Sequence, residues 1–134
     1  MRIGVCGVGT VGSSLINLIK KNKDEIGRKL EDDISIHQVA SRRENPQCDL
    51  SGINITHDIF QVAVNPNIDV LIELIGGVED AKELVLLAVK NQKHVITANK
   101  ALIAMHGPEI FSAARQMGVC VLFEAAVAGG IPII

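Results

Sequence analysis

Residues 2 to 19 place three things in immediate succession: an apolar run, three glycines within six positions, and a stretch with helical spacing. Arg2–Cys6 shows no polar/apolar alternation after Arg2, the pattern of a strand covered on both faces, so it belongs in the middle of a sheet. Gly7-Val8-Gly9-Thr10-Val11-Gly12 then fits G-x-G-x-x-G between that strand and a helix. Val11, Leu15, Leu18 and Ile19 follow at three- and four-residue spacing, which predicts a helix from Thr10 into the charged stretch Lys20 to Glu25. Its far end stays open, because Ile26 and Leu30 continue the pattern past Gly27.

The alternation persists along the chain, as it does in parallel β-α-β units. Ile34 to Ala40 reads as a second strand, and Ser41 to His57, with Asn45, Pro46, Gly52 and Asn54, as a long irregular connection holding one short strand at Ile53 to Thr56. Asp58 is placed to cap a brief helix through Val64, which Asn65-Pro66-Asn67 stops. Asp69 to Ile75 is a further buried strand ended by Gly76-Gly77. Ala81, Leu84, Val85, Ala88 and Val89 give a helix, with Lys90 suited to its negative end. His94 to Thr97 reads as a strand, Pro108 to Met117 as a helix closed by Gly118, and Val119 to Phe123 as the last strand. The expected fold is α/β: a Rossmann-like, doubly wound, mostly parallel sheet with helices on both faces, one domain over residues 1–134.

With 48% apolar and 21% charged residues the chain is an ordinary globular sequence, and disorder is excluded. Thirteen basic against fifteen acidic residues leave a net charge of -2, which gives no general pull toward nucleic acid or an anionic membrane. Apolar runs such as Val70 to Ile75, broken by Glu73, fall far short of the ~20 residues of a membrane span, and Met1-Arg2-Ile3 opens no signal peptide. A soluble, cytoplasmic protein is expected. Three cysteines without a C-x-x-C pair argue against a disulfide framework or a thiolate metal site, and Cys6 and Cys120 read as small buried hydrophobes. The four histidines lack metal-ligand spacing, and no Ser-His-Asp or Cys-His set emerges. The apolar ending Ala128 to Ile134 leads to the expectation of a longer parent with a second domain.

In the glycine loop, Gly7 permits the tight turn, Gly9 lets a pyrophosphate approach the backbone and Gly12 lets the helix pack close to the sheet. The helix start offers free N–H groups and about half a unit of positive charge to a diphosphate. Where a ribose-binding carboxylate belongs, after the second strand, the chain reads Ala40-Ser41-Arg42-Arg43. A hydroxyl and two guanidiniums suit a 2'-phosphate, so NADP(H) is favoured over NAD(H). A solvated basic loop competes for one of the two arginines.

Ligands of such sheets bind beyond the carboxyl ends of the strands. Gly76-Gly77 permits close approach of a flat group such as the nicotinamide ribose, or is a simple turn. Thr97-Ala98-Asn99-Lys100 gathers a hydroxyl, an amide and an ammonium at one edge, with Lys100 expected in a partly buried setting. Glu124, flanked by apolar residues and then bare glycine backbone, is either a buried hydrogen-bonded carboxylate or, with carbonyl oxygens, a ligand for a hard cation.

Gly7 to Gly12, Glu73-Leu-Ile-Gly-Gly77, Thr97-Ala-Asn-Lys-Ala-Leu102, His106-Gly107 and Phe123 to Ile134 together resemble the nucleotide-binding region of homoserine dehydrogenase, over essentially the whole chain. The resemblance implies reversible oxidation of L-homoserine to L-aspartate 4-semialdehyde with NAD(P), in the route to threonine and methionine. It implies that Val8 to Gly12 binds the dinucleotide, that Arg42 or Arg43 meets the 2'-phosphate, and that Lys100 lies at the cofactor and substrate junction. It further implies a sodium ion held by the Glu124 carboxylate and the carbonyls of Val127, Gly129 and Ile131. Residues 124–134 then begin a hinge toward a substrate domain, which supplies the proton-transfer lysine and most of a homodimer interface, so the 134 residues alone are expected to be inactive. The competing readings are a stand-alone Rossmann module that senses a nucleotide or redox state through a protein partner, and a related dehydrogenase. Among the latter, aspartate-semialdehyde dehydrogenase would need a nucleophilic cysteine beside a histidine.

Overall fold

The structure, a computed structural model, describes residues 1–42, 45 and 48–126. Along it run Arg2–Cys6 (β1), Thr10–Lys21 (α1), Lys23–Leu30 (α2), Ser35–Ala40 (β2), Asn54–Thr56 (β3), Ile59–Val64 (α3), Val70–Glu73 (β4), Glu79–Lys90 (α4), His94–Thr97 (β5), Lys100–Met117 (α5) and Val121–Leu122 (β6). The strands form one sheet in the order β3-β2-β1-β4-β5-β6, and every pairing is parallel. This is the Rossmann-like arrangement. β1 is central, and its last four residues are buried, as its unbroken apolar run requires.

Register fixes where the ligand edge lies. Cys6 stands opposite both Ala40 and Glu73, Ala40 opposite Thr56, and Glu73 opposite Thr97. Five strands therefore end in one row, and the residues that follow them share one edge. From β1 the chain winds outward through β2 and β3, then returns beside β1 at β4 and winds the other way, which opens a crevice between the loops after β1 and β4.

Two apolar clusters cover the two faces. Ile16 and Ile19 of α1 pack with Ile3, Val5, Val39, Val70 and Ile72 on one. Residues of α3, α4 and α5, among them Val62, Leu84, Val85, Leu102 and Ile110, pack with Cys6, Leu71 and Val95 on the other. Among the described residues no helix is long and apolar enough to cross a membrane.

The first helix ends at Lys21, inside the expected stretch, and its open far end is settled where Asn22 turns its side chain onto the Leu18 carbonyl (2.9 Å) and α2 follows as a separate helix. Several expectations are corrected. The buried stripe of α1 is Gly12, Ser13, Ile16 and Ile19, whereas Val11 and Leu18 are 62% and 58% exposed. Packing on the smallest residues brings the helix start close to the sheet and leaves Val11 over the crevice. α5 begins at Lys100, not at Pro108, because the Asn99 side chain caps it (3.1 Å to Leu102 N) and the burial of Leu102 and Gly107 carries the helix through the proline. β4 ends at Glu73, so Leu74 and Ile75 leave the sheet, and β6 is only two residues long. Cys120 is exposed rather than buried.

Candidate dinucleotide site

The glycine loop is built by two contacts that no side chain permits. Gly7 sits at φ +107, its N–H donates to the Ala40 carbonyl (2.9 Å), and a Cβ there would stand 2.5 Å from Leu74 O. A Cβ on Gly12 would press on the Gly7 carbonyl, so the start of α1 lies hard against the turn. Gly9 is the reverse case. A Cβ there would meet nothing within 4 Å and would project into open space. Gly9 is also the N-cap of α1; it has no side chain to occupy the first amides, and the first turn carries no acid. The positive end of the helix therefore opens onto the crevice with its donors accessible, which is what a diphosphate needs.

A cleft of 580 Å³ begins at this loop and is walled by Gly7, Val8, Gly9, Ala40, Ser41, Arg42, Asn45, Ile59, Leu74 and Ile75. The segment after β2 is fastened to it. Ser41 N donates to Thr56 O (3.0 Å), His57 Nδ1 lies 2.7 Å from Ser41 O, and Asn45 Nδ2 donates to the Val8 carbonyl (2.9 Å). Arg42 is exposed and stands on the wall shared by this cleft and a neighbouring one of 290 Å³ with His57, Asp58 and Asp80. Arg43 lies outside the described residues.

On the other side of Leu74 a second cleft, of 350 Å³, is lined by Val11, Glu73, Leu74, Gly76, Ala98, Asn99, Lys100 and Ala101. Lys100 is exposed here, not partly buried as expected, since it opens α5 at the rim, and its ammonium has no ion pair among the described residues. Gly76 and Gly77 hold φ +72 and +73. Thr97 is fully buried: its hydroxyl donates to Glu73 Oε2 (2.5 Å) and accepts from Asn99 N (3.0 Å), so it serves the cleft from behind. Burial, and then the nearby Glu73 carboxylate, push the Cys6 thiol up to about 12, which leaves that cysteine inert beneath the loop.

The structure thus brings Gly7, Val8, Gly9, Ser41 and Arg42 to one cleft and Val11, Gly76, Asn99 and Lys100 to the adjoining one, while Thr10, Gly12 and Gly77 line neither. Asn45 was legible only as a loop marker, Ile59 only as part of a brief helix, and Leu74 and Ile75 as the end of a buried strand. Glu73 carried a signal: an acid inside an otherwise apolar strand. Glu124 is exposed in a 3-10 turn, Glu124–Ala126, without a hydrogen bond or ion pair among the described residues. The carbonyl ligands expected from Val127, Gly129 and Ile131 lie outside those residues, among which no three His, Cys, Asp or Glu converge on a metal position.

Residues 7–124 match the family model of the homoserine dehydrogenase NAD binding domain. The homoserine dehydrogenase of Pseudomonas aeruginosa is 58% identical over the whole of this chain, which spans 31% of that protein's length. The crystal structure of a homoserine dehydrogenase from Thiobacillus denitrificans superposes with a TM-score of 0.90 at 46% identity, over 99% of this chain and 31% of the other. A hyperthermophilic archaeal homoserine dehydrogenase in complex with NADPH superposes with a TM-score of 0.79 over 98% of this chain and 46% of the other; at 19% identity the likeness is one of fold.

Proposed function

Since the chain belongs to the homoserine dehydrogenase family and spans its NAD-binding domain, we propose that it holds NADP(H) in preference to NAD(H) within an enzyme that interconverts L-homoserine and L-aspartate 4-semialdehyde. The observation that carries this reading is the open, side-chain-free cap of α1 at Gly9, facing the same cleft as Arg42. A nicotinamide supplies the hydride donor or acceptor when bound. The residues of this chain do the rest of the binding. The Gly7 to Gly12 loop receives the diphosphate, and Ser41 and Arg42, with Arg43 beyond the described residues, receive the 2'-phosphate. Gly76, Gly77 and Asn99 border the nicotinamide side, with Thr97 behind them. Lys100 faces the substrate oxygen and stabilises negative charge there.

The same reading takes the proton-transfer residue from a substrate domain that follows a hinge at 124–134, as the family resemblance implies. A sodium ion held by Glu124 with the carbonyls of Val127, Gly129 and Ile131 belongs to the same reading, supported by an exposed carboxylate that has no partner among the described residues.

Titration with NADPH and NADH tests the cofactor assignment. Tighter NADPH binding is expected, and Arg42→Ala is expected to weaken NADPH by roughly 10-fold or more while leaving NADH within about twofold. Equal affinity of the unaltered chain for both cofactors overturns the NADP(H) preference. Negligible homoserine turnover by residues 1–134 alone is expected; measurable turnover overturns the placement of the base.

A further inference from the structure

The Glu73 side chain is completely buried at the carboxyl end of β4, and nothing in cofactor binding as described above uses it. A strand that had only to be covered would carry an apolar residue there, as it does at Leu71 and Ile72, because a carboxylate removed from water is costly unless its oxygens are engaged. Both are engaged. Oε1 accepts from Ile75 N (2.9 Å), in the segment that leaves the sheet, and Oε2 accepts from the Thr97 hydroxyl on the neighbouring strand (2.5 Å). That hydroxyl accepts in turn from Asn99 N (3.0 Å), and Asn99 Nδ2 donates to Gly77 O (2.6 Å).

The connection leaves β4, crosses to β5, reaches the cap of α5 and returns to the glycine turn. It joins both sides of the 350 Å³ cleft, with Gly76 on one and Ala98, Asn99 and Lys100 on the other. Gly76 and Gly77 have no side chains with which to hold their own conformation, so the tie to Asn99 is the side-chain hydrogen bond that fixes the turn.

We propose that Glu73 is a positioning residue: through Thr97 and Asn99 it sets the spacing between the Gly76-Gly77 turn and the start of α5, and so the seat of the nicotinamide half of the dinucleotide. The proposal rests on the cofactor reading above and deepens it.

The test compares two probes on the full-length protein, NADPH and adenosine 2',5'-bisphosphate, which has the adenosine half alone. Thr97→Val removes the hydroxyl with little change of shape. It is expected to weaken NADPH about tenfold and leave the bisphosphate unchanged, and Thr97→Ser is expected to restore NADPH binding. Glu73→Met, which has about the same length but offers the Thr97 hydroxyl no donor and only a weakly accepting sulfur, is expected to follow Thr97→Val. Equal loss of both probes, or loss of neither in Thr97→Val, overturns the positioning role while the cofactor reading stands. An unaltered protein that binds neither probe overturns both.

Discussion

An alanine at position 7 would carry its Cβ to within 2.5 Å of Leu74 O on a backbone already at φ +107, whereas an alanine at position 9 would touch nothing within 4 Å. Left-handed backbone costs a side chain roughly 1–2 kcal/mol before any clash is counted, so Gly7→Ala is expected to lose about 2 kcal/mol or more of stability in urea unfolding. Gly9→Ala is expected to unfold at an unchanged or slightly higher urea midpoint and to lose NADPH affinity, because its methyl group occupies the approach to the helix amides. A Gly9→Ala variant that binds NADPH normally would place the diphosphate elsewhere. The motif assigned the turn to Gly7 and the approach to Gly9, and the surroundings of each Cβ agree with that division. The cost of losing either one was not legible, since it depends on the distance from each Cβ to residues far along the chain, such as Leu74.

At the scale of the elements, the two edges of the sheet are made for different tasks. The carboxyl edge is opened by short strands, with β4 releasing Leu74 and Ile75 into the cleft wall. The amino edge is closed by Lys93, only 3% exposed, whose ammonium donates to Asn65 O (2.6 Å) and Ile68 O (3.0 Å) and so joins the turn after α3 to the start of β5. Lys93→Met keeps the packing and strips both carbonyls of the ammonium. A loss of about 1–3 kcal/mol is expected in urea unfolding, with no change in NADPH affinity. Element order and most boundaries were legible because they are set by local periodicity. The start of α5 was not, because a proline at 108 marks a helix start by local rules, while the burial of Leu102 and Gly107 and the Asn99 cap are contacts with the rest of the fold.

For the molecule as a whole, closing the central strand pair at its amino end introduces a pH dependence. Asp69 accepts from the Arg2 backbone N–H (2.7 Å) and from its guanidinium (2.8 and 3.2 Å), with Asn67 alongside. The guanidinium hydrogen bonds hold the Asp69 carboxyl down at about 2. A carboxyl whose folded pKa lies below its unfolded value contributes stability that is complete above that unfolded value, about 4, and is lost as pH falls through the folded one. Melting temperature is therefore expected to fall between about pH 4 and pH 2, and less steeply in Asp69→Asn. Added salt is expected to diminish the effect, since the pair is partly exposed. An Asp69→Asn variant with the same acid profile would assign the loss to other carboxylates.

By itself the sequence determined the strand, glycine loop and helix of its first twenty residues, the order of the remaining elements and the family, because each is written in neighbouring residues. Tertiary structure alone decided that Arg42 faces the cleft of the glycine loop, that Lys100 is exposed at a rim, and that Glu73 meets Thr97 across the sheet. The last two residues are 24 positions apart, and only the parallel register of β4 and β5 sets them side by side. Register follows from burying both faces of the sheet at once, a condition on the whole chain that no short stretch of it contains.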